Sequence, residues 1–391
     1  MSTPKLPVSP IELEDPAHSI PYGRQWIEDD DVAAVVEALR SDWLTTGPAV
    51  DSFERAIAES VHAAYAVAVS SGTAALHAAM FALRIGPGDE VIVPPMTFAA
   101  TANCVVYQGG TPVFADVDPS TLLLDPAQVE AKTTERTKAI IAVDYAGQPC
   151  DYDKLRRFAA PRGIALVADA CHALGATYKG QPVGSLADLT VFSFHPVKHI
   201  TTGEGGMIAT NRTELNARMR RFRNHGISSD HRQRSERGSW TYEMVELGYN
   251  YRISDFQCAL GQCQLKKLNG WLVRRQEIAD RYTWAFRGSR ACPLRVRPES
   301  RHAWHLYVVQ LAPPCDRQRV FSELRARGIG ANVHYIPVHL HPYYRQRFGT
   351  GPGLCPAAEA AYERMLSLPM FPKMTNDDVD TVIAAVQRAV E

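Results

Sequence analysis

Neither sign of charge predominates in this 391-residue chain, since lysine plus arginine and aspartate plus glutamate number 42 each. With no net field to hold it on nucleic acid or an anionic membrane, the chain is expected to bind small molecules. Cysteines at metal or redox spacing are missing too. Eight are scattered with no C-x-x-C, and Cys258 and Cys263, five apart, do not share a helix face, so neither a zinc site nor a disulfide framework is signalled. No window approaches about eighteen apolar residues. The first twenty residues carry Pro4, Pro7, Pro10 and Pro16 where a secretory signal would have an apolar core. These absences predict a cytoplasmic protein with reduced thiols and neither membrane nor nucleic-acid partners.

What is present is an ordinary globular composition, 46% apolar and 21% charged. After an irregular segment, 1–20, a helix begins at Asp29 with Val32, Val35, Val36 and Leu39 spaced as one apolar face, and a second places Val50, Phe53, Ile57 and Val61 together. Short apolar runs at 65–70, 90–93, 112–115, 139–143, 164–168, 189–194 and 206–210 read as strands. Helical stretches at 73–85, 97–108 and 151–160 lie between some of them. This alternation predicts an α/β unit over 21–253 with a seven-stranded, mainly parallel sheet flanked by helices. The gap between the last two runs is too short for a helical crossover, so the seventh strand is expected to be antiparallel. The tract 228–239 reads as an exposed charged loop. Over 254–391 the pattern predicts helices at 254–268 and 271–286. A smaller α+β unit follows, with strands near 304–310 and 332–336 and helices near 316–327 and 355–366. A last helix opens on the capping-box pattern Thr375-x-x-Asp378.

The chemistry centres on Lys198. Pro196 ends the strand-like run 189–194, so the lysine sits on a loop leaving a strand end, where open α/β sheets bind ligands. A partly desolvated lysine there can attack carbonyls and form a Schiff base, although a lone lysine beside glycines is more often a solvated loop charge. Ser71, Gly72 and Thr73 open a helix after the first strand, as a phosphate cradle does and as an ordinary capped turn also does. This turn has neither the Gly-Lys-Ser/Thr ending of a Walker loop nor the dinucleotide G-x-G-x-x-G. Asp169 ends the fifth strand with no cation near it in sequence; it either caps a turn or meets the protonated nitrogen of a pyridine ring, as in pyridoxal phosphate (PLP) enzymes. Phe98 could cover a ring face or be core, and Ser193 lies one strand step from the lysine loop.

In this order, phosphate turn, aromatic, aspartate and S-F-x-x-x-K with a glycine-rich tail, the residues resemble the fold-type I PLP aminotransferases, specifically the sugar-nucleotide aminotransferases of the DegT/DnrJ group. V-S-S-G-T-A-A-L at 69–76, D-A-C-H-A-L-G-A at 169–176 and G-Y-N-Y-R-I-S-D-F-Q-C-A-L-G at 248–261 carry the likeness. It implies PLP as cofactor, Lys198 as Schiff-base lysine and proton carrier, and Asp169 as partner of the ring nitrogen. It implies His172 at the ring hydroxyl, Ser71, Gly72, Thr73 and Ser193 around the phosphate, and Phe98 on the ring face. Asn250 would reach the phosphate of the other subunit in a homodimer with shared active sites. Cys171 departs from the alanine or serine usual in the group.

Within the group, P-Y-G-R-Q at 21–25, F-H-P-V-K-H-I-T-T-G-E-G-G at 194–206 and N-V-H-Y-I-P-V-H-L-H-P-Y-Y at 332–344 look most like the transaminases of pseudaminic acid synthesis. That likeness implies a 4-keto sugar nucleotide and L-glutamate as substrates. It also places Tyr22, His195, His334 and Tyr335 on the substrate side. Read without the family, His334, His339 and His341 could hold a metal, but a proline among them and no carboxylate nearby in sequence favour a substrate-facing loop. Two rivals are a PLP-dependent sugar dehydratase, in which histidine replaces the lysine, and a PLP-binding regulator or scaffold. In the first case His199 falls one residue out of register; in the second, no basic or helix-turn-helix extension precedes Tyr22.

Overall fold

The structure is a computed structural model that describes residues 19–229, 232, 234 and 238–391. Most of the irregular segment 1–20 and part of the charged tract 228–239 therefore lie outside the described residues. Two helices, α1 (Asp29–Arg40) and α2 (Pro48–Ser60), precede an alternation of strands and helices. Its strands are β1 (Tyr65–Val69), β2 (Glu90–Val93), β3 (Thr111–Phe114), β4 (Thr137–Val143), β5 (Ala165–Asp169), the short β6 (Thr177–Tyr178) and β7 (Gln181–Pro182), then β8 (Leu189–Ser193) and β9 (Gly206–Thr210). Seven of them form one sheet in the order β1-β9-β8-β5-β4-β2-β3. The pairs among β2, β3, β4, β5 and β8 are parallel, and β9 runs antiparallel between β1 and β8, as its short connection predicts.

Valine, isoleucine and alanine fill the central strands because helices cover both faces and leave no solvated side. Helix α3 (Gly72–Ala82) is buried almost all round, and alanine lets it pack that closely on the sheet. Helix α4 (Ala100–Tyr107) starts three residues later than its pattern suggested, which leaves Phe98 on the preceding loop, 61% exposed.

Three expectations are corrected. The two helices at 254–268 and 271–286 are one, Asp255–Ala285, 31 residues long, and the Asn269-Gly270 pair does not break it. Glycine costs a helix about 1 kcal/mol, which packing against α1 and α2 outweighs. In α1 the apolar face is not the buried one. Val32 and Leu39 are 52% and 53% exposed, while Asp31 is fully buried, held by Gln264 Nε2 at 2.7 Å and Lys267 Nζ at 2.9 Å. In the smaller unit, 332–336 is not a strand but meets Ser367 through one bridge at Asn332. The helix at Pro356–Tyr362 gives way to a strand at Met365–Leu368, which pairs with Tyr307–Leu311. The Thr375 capping box forms as predicted, with Asp378 N donating to Thr375 Oγ1 at 3.0 Å and Thr375 N to Asp378 Oδ2 at 2.8 Å.

Candidate active site

The C-terminal ends of β5 and β8, the start of α3 and the 332–335 segment enclose a cleft of about 560 Å³. Its lysine arrives on a pinched loop. Phe194 N donates to the Gly205 carbonyl at 2.9 Å and Thr202 N to the Phe194 carbonyl at 3.0 Å, so residues 195–201 form a closed lobe with Lys198 near its tip. The Lys198 amine is withdrawn from water, which lowers its pKa; Cys171 and Asp169 act in the opposite sense. Its Nζ lies 3.4 Å from His305 Nε2. His199, the residue the dehydratase reading would need, is instead buried with Nε2 2.9 Å from the Ala303 carbonyl oxygen and does not line the cleft.

Asp169 is 6% exposed at the end of β5. Thr101 Oγ1 donates to its Oδ2 at 2.6 Å, and Thr97 Oγ1, on the loop before α4, stands 2.7 Å from Thr101 Oγ1, so a chain of two hydroxyls orients the carboxylate. His172 Nε2 lies 3.1 Å from the Tyr335 hydroxyl, and its Nδ1 is buried without a partner among the described residues. Burial first, then Lys198, His334 and His199, hold His172 well below the usual imidazole pKa, so it is neutral at pH 7. Burial brings His334 to about 4, and its Nδ1 meets Ser367 Oγ at 2.9 Å.

At the start of α3, Ser71 Oγ accepts from Ala74 N at 3.1 Å, and the first helical N–H groups, of Gly72 and Thr73, have no partner inside the helix. Two glycines keep this turn tight. A Cβ on Gly72 would come within 3.0 Å of Ser193 Cβ, and one on Gly206 within 2.4 Å of the Ser71 carbonyl oxygen. That is why the lysine loop ends in glycines.

The cleft brings together Tyr22, Ser71, Gly72, Thr73, Phe98, Asp169, His172, Ser193, His195, Lys198, His334 and Tyr335. Asn250 is the expected site residue that lies outside it, exposed and bridged to Asn224. Thr101, Glu204 and His305 line the cleft without having been singled out. Thr101 had a signal in the threonine pair four apart at a helix start; His305 had none. The proposed isolation of His339 from carboxylates is corrected: it is buried with Nε2 2.8 Å from Glu359, which the fold brings back from twenty residues on. Among the described residues, the group with metal-ligand geometry is Asp30, Asp31 and Cys263, and Lys267 already bridges both carboxylates.

These groups suit PLP. Asp169 offers a carboxylate to a ring nitrogen, His172 a buried nitrogen still lacking a partner, and the Gly72 turn an open cradle for a phosphate.

Residues 25–387 match the DegT/DnrJ/EryC1/StrS aminotransferase family. The spore coat polysaccharide biosynthesis protein SpsC of Bacillus subtilis is 45% identical over 383 residues, 96% of this chain and 98% of that protein. Among solved structures, the sugar aminotransferase Spr1654 of Streptococcus pneumoniae in its PMP form superposes with a TM-score of 0.91 at 35% identity, covering 95% of this chain and 99% of that one. A PLP form of the same protein gives 0.90. Helicobacter pylori PseC, an aminotransferase of pseudaminic acid biosynthesis, gives 0.89 at 32% identity, covering 95% and 99%.

Proposed function

The chain belongs to the DegT/DnrJ/EryC1/StrS aminotransferase family, and from that premise we propose that it moves an amino group from L-glutamate to C4 of UDP-2-acetamido-2,6-dideoxy-β-L-arabino-hex-4-ulose, giving UDP-4-amino-4,6-dideoxy-N-acetyl-β-L-altrosamine. As a member it is a PLP-dependent sugar aminotransferase acting on a keto sugar with an amino donor. The observation that carries the finer reading is that Tyr22, His195, His334 and Tyr335, from the three segments most like the pseudaminic acid transaminases, converge on the cleft that holds Lys198.

The bound cofactor supplies the electron sink. This chain supplies the rest. Lys198, whose pKa burial lowers, offers an amine that takes a proton from one carbon and returns it to another. Asp169, held by Thr101, keeps a ring nitrogen protonated. His172, being neutral, can donate or accept at a ring hydroxyl. Glutamate leaves as 2-oxoglutarate before the keto sugar takes up the amino group, so atoms balance over the two halves.

The active unit is read as two copies. Asn250 is exposed and does not line its own cleft, and Trp240, Met244 and Leu247, close before it in the chain, are each more than half exposed, apolar side chains that a second copy would cover.

A second substrate reading draws on SpsC, which is more identical to this chain than PseC and is named for polysaccharide synthesis. It holds that a different keto sugar nucleotide is aminated. Incubating the enzyme with a panel of 4-keto and 3-keto sugar nucleotides and L-glutamate, with products identified by mass, tests both. Amination of the UDP-linked 4-keto sugar alone is the expected result. Exclusive amination of a 3-keto or GDP-linked sugar would overturn the assignment.

A further inference from the structure

A lysine amine rides on a flexible stem, so a proton carrier of this kind needs something to fix where the amine points. Among the described residues, the side chain that meets Lys198 Nζ within hydrogen-bond reach is His305, whose Nε2 lies 3.4 Å away. His305 is 4% exposed and lines the cleft.

The backbone that carries this histidine is held from several sides. Ala303 N donates to the Gly147 carbonyl at 2.9 Å and Leu306 N to the Ala146 carbonyl at 3.1 Å. A Cβ on Gly147 would come within 2.9 Å of Trp304 N and 3.0 Å of His305 N, so the two segments pack with no side chain between them. The buried Arg275 donates from Nη1 to the Trp304 carbonyl at 2.9 Å and to the Met370 carbonyl at 3.0 Å. His199, on the lysine loop itself, closes the remaining side, with Nε2 2.9 Å from the Ala303 carbonyl oxygen. Within this frame Trp304 keeps a φ of +50°, a left-handed conformation that bulky residues rarely adopt. Strain of that kind persists where the surroundings over-determine the backbone, and it collects at functional sites.

The protonation states fit the same role. Burial first, then Lys198, His172, His199 and Arg275, hold His305 well below the usual imidazole pKa, so at pH 7 the ring has one N–H to place. An ammonium offers three donors and no lone pair, and a neutral amine two donors and one lone pair. Nε2 therefore serves both states as an acceptor, with the ring proton on Nδ1, which is buried without a partner among the described residues. Bound in this way, a neutral amine spends an N–H on the ring and keeps its lone pair free. The opposite tautomer would occupy the lone pair that has to take the proton.

We infer that His305 is the positioning residue for Lys198: its Nε2 accepts a hydrogen bond from the lysine amine both before and after that amine takes up a proton, and so leaves the lone pair free to face the reacting carbon. The inference rests on the reading of Lys198 as the proton carrier.

Labelling of the cofactor-free protein tests the contact. Trinitrobenzene sulfonate attacks uncharged amines, so the pH dependence of its reaction with Lys198, followed on the peptide that carries this lysine, reports the state of the amine. His305→Leu removes an acceptor that favours the charged form, and the labelling midpoint should move down by about one pH unit, the worth of one charge-assisted hydrogen bond. His305→Gln keeps an acceptor at similar reach and should restore most of the wild-type midpoint. His305→Asn, too short to reach the amine, takes the place of the leucine variant if that one does not fold.

The enzyme loaded with pyridoxal phosphate tests the consequence. In His305→Leu the release of 2-oxoglutarate from L-glutamate should slow by about tenfold or more with KM unchanged. Glutamate deuterated at the α-carbon should slow this variant more than the wild type, because a misplaced amine makes proton transfer limiting. An unchanged labelling midpoint in His305→Leu, or equal losses in His305→Leu and His305→Gln, would overturn the inference. So would a loss of pyridoxal phosphate affinity with the midpoint unchanged, which would give the ring to His172, whose centroid is 4.4 Å away. Turnover by Lys198→Ala would bring down the reading of the lysine and this inference with it. No turnover by Lys198→Ala, together with a wild-type labelling profile in His305→Leu, brings down this inference alone.

Discussion

At the scale of single residues the proposed chemistry rests on Lys198 and Asp169, and each can be removed with little effect on the fold. Lys198 sits on a closed loop and is half-buried, so Lys198→Ala should fold with an unchanged melting temperature and lose transamination altogether. Turnover by the folded variant, followed as 2-oxoglutarate release, would contradict the role given to the lysine. Asp169→Asn keeps the shape and can still accept from Thr101, yet cannot hold a ring nitrogen protonated. It should retain the cofactor, seen by absorbance after dialysis, and slow by several orders of magnitude. A near-normal rate would reduce Asp169 to a cap. Both residues were legible in the sequence because each follows an apolar run at a predictable strand end. His305 was not. It reaches Lys198 from 107 residues away through a loop with no periodic pattern, and only the packing of the smaller unit on the sheet brings it there.

At the scale of elements, the main sheet was legible almost strand by strand, since buried parallel strands are continuous apolar runs with turns between them. The failures share one cause. Where tertiary packing outweighs a local signal, the sequence misleads: Gly270 does not stop the long helix, Asp31 rather than Val32 turns inward, and 332–336 forms a single bridge in place of a strand. Gly270 makes the first of these measurable. It is exposed, helical, and a Cβ there would meet no atom within 4 Å, so Gly270→Ala removes backbone freedom from the unfolded chain at no steric cost. The variant should be more stable by about 0.5 to 1 kcal/mol in chemical denaturation, with activity unchanged. No gain, or a loss, would show that the helix is strained at that point.

At the scale of the whole molecule, the buried histidines make the stability of the cofactor-free protein depend on pH in a definite direction. Burial brings His77 and His334 to about 4 and His302 to about 3, and holds His172, His199 and His305 well below the ordinary value. In the unfolded chain each titrates near about 6.5. Between that value and the lowered one, the unfolded state binds protons that the folded state refuses, so the stabilisation present above about pH 6.5 is lost as the pH falls. Asp144 works the other way. Burial raises it to about 7, so as the pH falls from there the folded state holds a proton that the unfolded chain releases, which returns some stability. One carboxyl offsets at most one of these histidines, and the net effect is a melting temperature that drops steeply from pH 6.5 to 5. A flat profile over that range would mean that the histidines are solvated in the folded protein. His77 lies outside the cleft, bonded to Tyr251 and Gln108, and lets the origin of the slope be checked. His77→Gln should be less stable at pH 7.5, because the Gln108 and Tyr251 contacts are disturbed. Its decline towards pH 5 should be shallower, by up to about 1.4 kcal/mol per pH unit, the worth of one proton. An unchanged slope would leave the other buried histidines to account for all of it, and the same comparison after adding pyridoxal phosphate would show how much of it the cleft histidines His172, His305 and His334 carry.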